Sequence, residues 1–600
     1  MHWRLSLGMF WCGVSIPGAV VMAGIFTSGA TAAEPASAWY EDPIAQTQTL
    51  PAPPVNPQPE PNRDRIPQTQ PEPQPPQPEE QEPVLPTPPT PAPSQETPAA
   101  ETEQKISVQK IEVTGSTLFS EAEIKAITAP VEGSTVTLEE LRRVADGITQ
   151  LYLDRGYITS RAVLADQTIE NGIVQIVVIE GSLEQIEVEG TRRLNPEYIR
   201  SRLRLGAGTP LSTAALENQL RLLRIDPLFE NIEASLRAGE QIGQSILTVR
   251  VTEANPLVSN FGIDNYSPPS VGSERAGASV LYRNLTGIGD EVFASYYQSF
   301  GDSNVYELSY RVPVNAMNGT VQVRVAPNNN AIVQEPFKAF DIEGESQLYE
   351  LSYRQPLLRS PSQEFALSLG FAYQESQTFL AGEPTPFGSG PDEKGISRTS
   401  IIKFGQDYVR RDTVGAWALR SQFNFGTGLL DATINEDPVP DGRFISWTGQ
   451  VQRVQRLGND NLLIVQGDLQ LAPDSLLPSQ QFVIGGGLSL RGYRQNARSG
   501  DSGFRFSVED RIALQRDSAS GAAIVQIAPF VDLGMVRNSG GNPNLLPEQR
   551  FLAGAGLGVL WEVLPGLNIR IDYAIPLVKI DDKGNNAQDE GFYFSVNYSP

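Results

Sequence analysis

The C-terminal half of this chain alternates apolar and polar residues at period two, strand after strand, with charge on the polar face. In the run Tyr306–Arg311, Tyr306, Leu308 and Tyr310 share one side, and Glu307, Ser309 and Arg311 share the other. In Leu567–Tyr573 the apolar set is Leu567, Ile569, Ile571 and Tyr573, opposite Asn568, Arg570 and Asp572. The final run aligns Phe592, Phe594, Val596 and Tyr598. A soluble sandwich also alternates, but it does not need charge on its second face throughout. A barrel with lipid outside and a wet lumen does. Alternation also hides the membrane signal from averages, so a mean hydropathy of −0.24 is compatible with 40% hydrophobic residues and a membrane-spanning chain. Beyond the N-terminus no stretch approaches the roughly 18 apolar residues of a spanning helix.

A near-repeat sets the strand count. Tyr306–Pro313 (YELSYRVP) returns as Tyr349–Pro356 (YELSYRQP). If these are equivalent strands two apart, halving their interval and dividing the region from Leu257 onward gives about 16 strands, the even number a closed antiparallel barrel needs. Short connections at Gly287–Asp290, Pro313–Asn318 and Pro565–Gly566 alternate with long ones at Glu375–Ser397, Gly426–Arg443 and Ala472–Ser502. That asymmetry matches short periplasmic turns and long outer loops. Aromatic residues at strand ends suit interfacial girdles.

The N-terminus reads as an export signal. Arg4 is followed by a mostly apolar stretch, Leu5–Phe26, and Ala30, Ala32 and Ala33 offer an A-x-A-like cleavage site. Pro17 and several glycines break the stretch, which argues against an anchor. Trp11 before Cys12 argues against lipoprotein processing. Cys12 and His2 are the only cysteine and histidine in the chain. Cleavage would leave neither, which excludes Ser-His-Asp and Cys-His nucleophiles and any thiolate or imidazole metal site. No enzymatic activity and no cofactor are expected. A formal net charge of −24 makes nucleic acid a poor partner. Asp42 to about Thr102 is dense in proline, glutamine, glutamate and threonine, cannot bury a core, and is expected to act as a semi-rigid spacer.

Between spacer and barrel a unit occurs twice. Val108–Val113 alternates, Gly115 turns the chain, and Thr137-Leu-Glu-Glu140 has capping-box form. Leu138, Leu141, Val144, Ala145, Ile148 and Leu151 mark a helical face ended by Gly156-Tyr157. Strands follow around Ser160–Leu164 and Gly172–Gly181. Leu183–Gly190 then echoes Val108–Gly115, Leu216, Leu220 and Leu223 mark a helix, and Ser245–Glu253 closes with a strand. Two copies of a β-α-α-β-β unit fit this order.

These units resemble POTRA domains, the periplasmic modules of outer-membrane protein translocators. Gly156-Tyr157 after the helix and the closing Gly172–Gly181 strand carry the match. The resemblance implies substrate docking by strand addition to a sheet edge. The expected organisation is a signal peptide at 1–33, a proline-rich linker at 34–104, POTRA-like domains at 105–181 and 182–254, and a transmembrane barrel at 255–600. The expected fold class is therefore α+β periplasmic domains followed by an all-β barrel of about 16 antiparallel strands.

One motif pair points to protein transport. Gly485–Tyr493 (GGGLSLRGY) lies in the long connection expected after strand 11, and Phe530-Val-Asp-Leu-Gly534 is expected to end a lumen-facing strand. Alone, the first is a glycine-rich loop. Together they resemble the paired motifs of the superfamily containing barrel-assembly proteins and two-partner-secretion transporters. The resemblance implies that Arg491 pairs with Asp532, that Gly492 and Tyr493 shape a loop tip folded into the lumen, and that Phe530 and Gly534 frame the partner strand.

With two POTRA-like units, the chain resembles the hemolysin secretion/activation branch of two-partner secretion. Asn284–Asp290 (NLTGIGD) also matches that branch. This implies export of a partner exoprotein, contact with outer-membrane lipid, and periplasmic chaperones and barrel-assembly machinery during biogenesis. No Gly-x-x-x-x-Gly-Lys-Ser/Thr motor motif occurs, so outward folding of the substrate would supply directionality. Two features depart from the pattern. The chain ends in Pro600, with Tyr598 the nearest aromatic, and the proline-rich segment offers no good helix to plug a pore. An outer-membrane assembly insertase and a small-molecule porin with periplasmic binding modules remain as alternatives.

Overall fold

The computed structural model describes residues 105–600 apart from 336 and 459. The expected export signal and proline-rich linker lie outside the described residues. Two small α/β sheets come first. Lys110–Thr114 pairs in parallel with Ile173–Ile179, whose other side pairs antiparallel with Arg161–Leu164. The second sheet repeats the plan, with Gln244–Glu253 between Ser182–Glu189 and Phe229–Ala238.

Helices α1 (Glu121–Thr128) and α2 (Leu138–Asp154) cover the first sheet, and α3 (Pro196–Arg204) and α4 (Thr213–Arg224) the second. Each starts on a side chain that satisfies an orphan backbone donor: Ser120, Thr137, Asn195 and Ser212. Ser120 and Thr137 form full capping boxes with Glu123 and Glu140. The buried face of α2 is Leu141, Val144, Ala145, Ile148 and Tyr152. Leu138, expected on that face, is exposed because it occupies the first turn, before the helix meets the sheet. Gly156 ends α2 at φ +81°, a conformation that favours glycine.

A closed antiparallel barrel follows. Its strands are β1 (Leu257–Asp264), β2 (Arg275–Arg283), β3 (Glu291–Ser299), β4 (Asn304–Pro313), β5 (Thr320–Ala331), β6 (Ile342–Arg359), β7 (Gln363–Leu380) and β8 (Ile396–Asp412). They continue with β9 (Gly415–Thr427), β10 (Ile445–Leu457), β11 (Asn461–Leu471), β12 (Ser502–Arg516), β13 (Ala523–Arg537), β14 (Phe551–Leu564), β15 (Leu567–Pro576) and β16 (Phe592–Tyr598). These are the sixteen strands that the near-repeat predicts. β16 pairs with β1 through four positions, Phe261–Asp264 against Ser595–Tyr598.

Inside and outside divide as the alternation requires. On β15, Tyr573 is 56% exposed to the lipid side while Asp572 is 0% exposed within the lumen. Lumen-side charges pair across strands: Arg324 meets Glu307 at 3.2 Å and Glu350 at 3.6 Å, and Arg354 meets Glu364 at 2.6 Å.

Two expectations need correction. The outer loop predicted from Glu375 begins only after Leu380, because the polar run Gln374–Thr378 continues the β7 pairing with β6 and β8. With 18 residues each, β6 and β7 rise well beyond the roughly 9–11 that cross a bilayer. Nor does Phe530–Gly534 end its strand. It lies mid-strand in β13, which runs on to Arg537 against β12.

Candidate functional site in the barrel lumen

The connection between β11 and β12 is the sixth outer loop, and it folds back into the barrel. A short hairpin forms its neck, Phe482–Ile484 against Arg498–Gly500. Phe482, Ile484, Leu490 and Tyr493 pack with Val536 of β13 and Leu552 of β14 in a buried apolar cluster. The loop therefore has its own small core against the barrel wall.

At the tip, Arg491 is 6% exposed. Its Nε donates to Asp532 Oδ2 at 2.7 Å and its NH2 to Oδ1 at 2.9 Å, a two-pronged fork that suits guanidinium and carboxylate geometry. The Arg491 backbone N–H adds a third bond to Asp532 at 3.0 Å. The guanidinium stacks 3.3 Å from the Phe530 ring centroid. Gly534 is a close-approach position: a Cβ there would lie 3.1 Å from Leu490 Cδ1 and 2.8 Å from the Phe504 carbonyl. The structure thus brings Arg491, Phe530, Asp532 and Gly534 together.

Gly492 sits at φ +102° and donates its N–H to the Tyr593 hydroxyl of β16 at 2.8 Å. That hydroxyl donates in turn to the Tyr493 carbonyl at 2.6 Å. The Tyr493 hydroxyl reaches the carbonyls of Ala553 and Val578 at 2.8 and 2.7 Å. A Cβ on Gly554 of β14 would collide with the Arg491 carbonyl, so glycine is needed where the loop crosses that strand.

Sequence reasoning assigned only two of the six charges here, Arg491 and Asp532. Arg491 NH1 also donates to Glu509 of β12 at 2.6 Å. Glu509 accepts from Arg570 at 2.7 Å and from Arg511 at 2.8 Å, and Arg570 forks onto Asp572 at 2.7 and 2.9 Å. Three arginines meet three carboxylates, so the cluster is close to neutral despite its burial. Two i, i+2 pairs, Glu509/Arg511 and Arg570/Asp572, were the available signal: each places opposite charges on one face of a strand. Farther out, Arg494 forks onto Asp589 at 2.8 and 2.7 Å and Arg498 onto Asp582 at 2.8 and 2.7 Å, which ties the loop to the β15–β16 connection. Among the described residues no cluster of acidic side chains could hold a metal.

A closed barrel of this size, with lipid-facing aromatic and aliphatic residues outside, a charged lumen that clamps an inserted loop, and α/β modules at its periplasmic end, defines an outer-membrane translocation pore. Residues 243–560 match the family model described as haemolysin secretion/activation protein ShlB/FhaC/HecB, and residues 106–181 match a ShlB-type POTRA domain. The chain belongs to that family, and it is an outer-membrane transporter that secretes a partner exoprotein. It is 24% identical over 480 residues to the heme/hemopexin transporter protein HuxB of Haemophilus influenzae, covering 77% of this chain and 81% of that one. It is 22% identical over 406 residues to the outer membrane transporter CdiB of Dickeya dadantii, covering 66% and 70%. The solved structure of CdiB from Escherichia coli superposes with a TM-score of 0.65 at 21% identity, covering 87% of this chain and 94% of that one.

Proposed function

We propose that the sixth loop is the pore's internal retainer and that an unfolded exoprotein docks on the periplasmic domains before passing it. In this proposal the chain divides into a signal peptide at 1–33, a linker at 34–104, POTRA-like domains at 105–181 and 182–254, and the barrel at 255–600. Outer-membrane lipid surrounds the barrel, and periplasmic chaperones and barrel-assembly machinery serve its biogenesis.

The six-membered charge cluster around Arg491 carries the proposal. Arg491, Gly492 and Tyr493 hold the tip, and Phe530, Asp532 and Gly534 receive it. All the groups belong to a loop or to barrel strands, so moving the loop is the one way to separate them without unfolding a strand. None is placed for bond chemistry.

For docking, sheet edges differ in availability. In the first domain, Ile111 N–H is capped by Glu132 at 3.1 Å and Ala162 N–H by Thr149 at 2.9 Å. In the second, Arg200 covers the Ile186 carbonyl at 3.1 Å. The Phe229–Ala238 edge is different. Gly239 N–H bonds to the Gln244 carbonyl at 2.8 Å. By antiparallel alternation Ile232, Ala234 and Leu236 then turn their backbone groups outward. Among the described residues nothing bonds to them. That edge offers three successive outward positions to an added strand.

The test is secretion by an Arg491→Ala variant co-expressed with its exoprotein, read against barrel abundance. Secretion should change while the barrel level holds. Unchanged secretion, with other outer-membrane proteins depleted when the gene is deleted, would favour an assembly insertase instead.

A further inference from the structure

The second periplasmic domain is attached to the barrel by more than its covalent link. The first periplasmic turn, between β2 and β3, is braced internally. Asn284 N–H donates to the Asp290 carbonyl at 2.6 Å, Gly289 N–H to Asn284 Oδ1 at 3.0 Å, and Thr286 N–H to Asp290 Oδ1 at 3.0 Å. This prebuilt turn offers the Gly287 carbonyl to Asn195 N–H at 2.8 Å, at the start of α3. A Cβ on Gly289 would press into the Tyr198 ring of the same helix. Arg193 reaches the Tyr282 hydroxyl and donates to the Leu285 carbonyl at 3.2 Å.

The second periplasmic turn, between β4 and β5, adds Asn318, whose Oδ1 accepts from Arg202 NH2 at 3.1 Å. Two neighbouring turns therefore grip one helix. The motif Asn284–Asp290 has its structural role here.

Arg202 is the anomaly in this grip. It is 5% exposed, stacks 3.3 Å from the Tyr198 ring centroid, and donates to the Tyr198 carbonyl at 3.1 Å. Its Nε has no partner, and no carboxylate lies within ion-pair distance of it among the described residues. The nearby Asp226 instead accepts from the Tyr198 hydroxyl at 2.7 Å and from Leu228 N–H at 3.1 Å. Burial pushes the Asp226 carboxyl above its ordinary value, with the Tyr198 bond offsetting only part of the effect. Burial of the Arg202 guanidinium outweighs the favourable pull of Tyr198 and Asp226, and Arg359, at the periplasmic end of β6, adds a second positive charge that acts on it.

Neutral acceptors satisfy a guanidinium's hydrogen bonds but not its charge, and burying such a charge with no carboxylate in ion-pair contact opposes the closed state. A small cleft remains at the same joint, lined by Leu194, Pro227, Leu228, Pro256, Arg283 and Asn284.

We propose that Arg202 is a positioning residue that keeps the joint between the second periplasmic domain and the barrel poised to open, and that export uses this opening. The turns favour docking and the buried charge opposes it, so the two states lie close in free energy. Undocking lets water reach Arg202 while the braced Asn284–Asp290 turn keeps its shape for return. This rests on the proposed docking of substrate on the periplasmic domains, because a joint that opens can carry a docked chain toward the pore.

The experiment uses the full chain carrying Cys12→Ser, with spin labels at Gln241→Cys on the second domain and Ser518→Cys on the turn between β12 and β13, both exposed. Pulsed dipolar spectroscopy reads the docked-to-open ratio in lipid without any substrate. Arg202→Met keeps a long apolar stem and removes the charge. It should raise the docked-to-open ratio about five-fold or more, the effect of replacing a buried ion by an apolar isostere. Arg202→Lys keeps the charge and should stay near the parent ratio. Asn318→Ala should lower the docked fraction.

Secretion is read in parallel, normalised to barrel abundance. It should fall in Arg202→Met and be retained in Arg202→Lys. If Arg202→Met loosens the joint or leaves the ratio unchanged, Arg202 is a plain anchor and the proposal fails. If the joint tightens and secretion does not fall, opening is not used in export. The spectroscopic ratio does not depend on strand docking, so failure of the joint and failure of the docking proposal give different results.

Discussion

Replacing Arg491 by alanine should release the sixth loop rather than unfold the barrel. The variant deletes both prongs on Asp532, the bond to Glu509 and the stack on Phe530. The losses are unequal. Glu509 keeps Arg511 and Arg570. Asp532, 1% exposed, keeps only the Ser507 hydroxyl at 2.6 Å and the backbone N–H of position 491. Breaking a buried charge pair from one side costs about 3–5 kcal/mol. With a factor of ten for every 1.4 kcal/mol, the docked-to-released ratio should fall by about a hundred-fold or more. Trypsin added to intact cells provides the assay. Arg494 and Arg498 are held by Asp589 and Asp582 in the docked loop and become cleavable on release. Arg491→Lys, which cannot fork, should give intermediate cleavage. Arg491→Ala with Asp532→Ala should be cut more slowly than Arg491→Ala alone, because no carboxylate is stranded. Parent-like cleavage of Arg491→Ala, with barrel abundance unchanged, would refute the clamp.

Tyr593→Phe removes one acceptor for Gly492 N–H and one donor to the Tyr493 carbonyl, so loop release should rise by an amount worth about 1–3 kcal/mol, read by the same cleavage. Gly554→Ala places a methyl group against the Arg491 carbonyl and should expel the tip without touching any charge, so its cleavage should resemble that of Arg491→Ala. In the first periplasmic domain, burial raises the Glu180 carboxyl, but bonds from Thr117 and Tyr152 outweigh it and leave it below the ordinary carboxylate value. A depressed folded value contributes stability above the unfolded carboxylate range, and that stability is lost as pH falls through the folded value. Amide protection factors in α2 of the full chain, corrected for the intrinsic exchange rate at each pH, should therefore fall on acidification below the carboxylate range, and Glu180→Gln should flatten that response.

The barrel was legible because its signal is local. Tyr306, Leu308 and Tyr310 announce a lipid face within six residues, and the YELSY repeat spaces equivalent strands. The helix start at Thr137 is equally local, since a cap needs only its own first turn. Loop boundaries were less so: Gln374–Thr378 has a loop's composition, yet those side chains sit on strands that climb past the membrane. The clamp was visible only in its central pair. Arg491 and Asp532 came from a motif resemblance, whereas Glu509, Arg511, Arg570, Asp572 and Tyr593 sit on β12, β15 and β16, and only closure of the barrel brings them to one point. The joint at Arg202 was invisible for the same reason, since Arg202 and Asn318 belong to different domains.

The four-position seam between β1 and β16 has a consequence for assembly kinetics. It joins residues at opposite ends of the barrel segment, the most non-local strand pairing among the described residues, yet it has the fewest rungs of the sixteen strand pairs. Closing a flexible loop of that length would cost about 5 kcal/mol in chain entropy beyond the constant term, more than four rungs with modest net bonds readily offset. The curl of fourteen intervening strands brings the ends together first, so the seam should form last, on a sheet already built. Asn265 then reinforces it as a substitute rung, giving its side-chain N–H to the Phe592 carbonyl at 3.0 Å and taking the Phe594 N–H at 2.8 Å. Closure rate, rather than final stability, is where a change at Asn265 should be felt first.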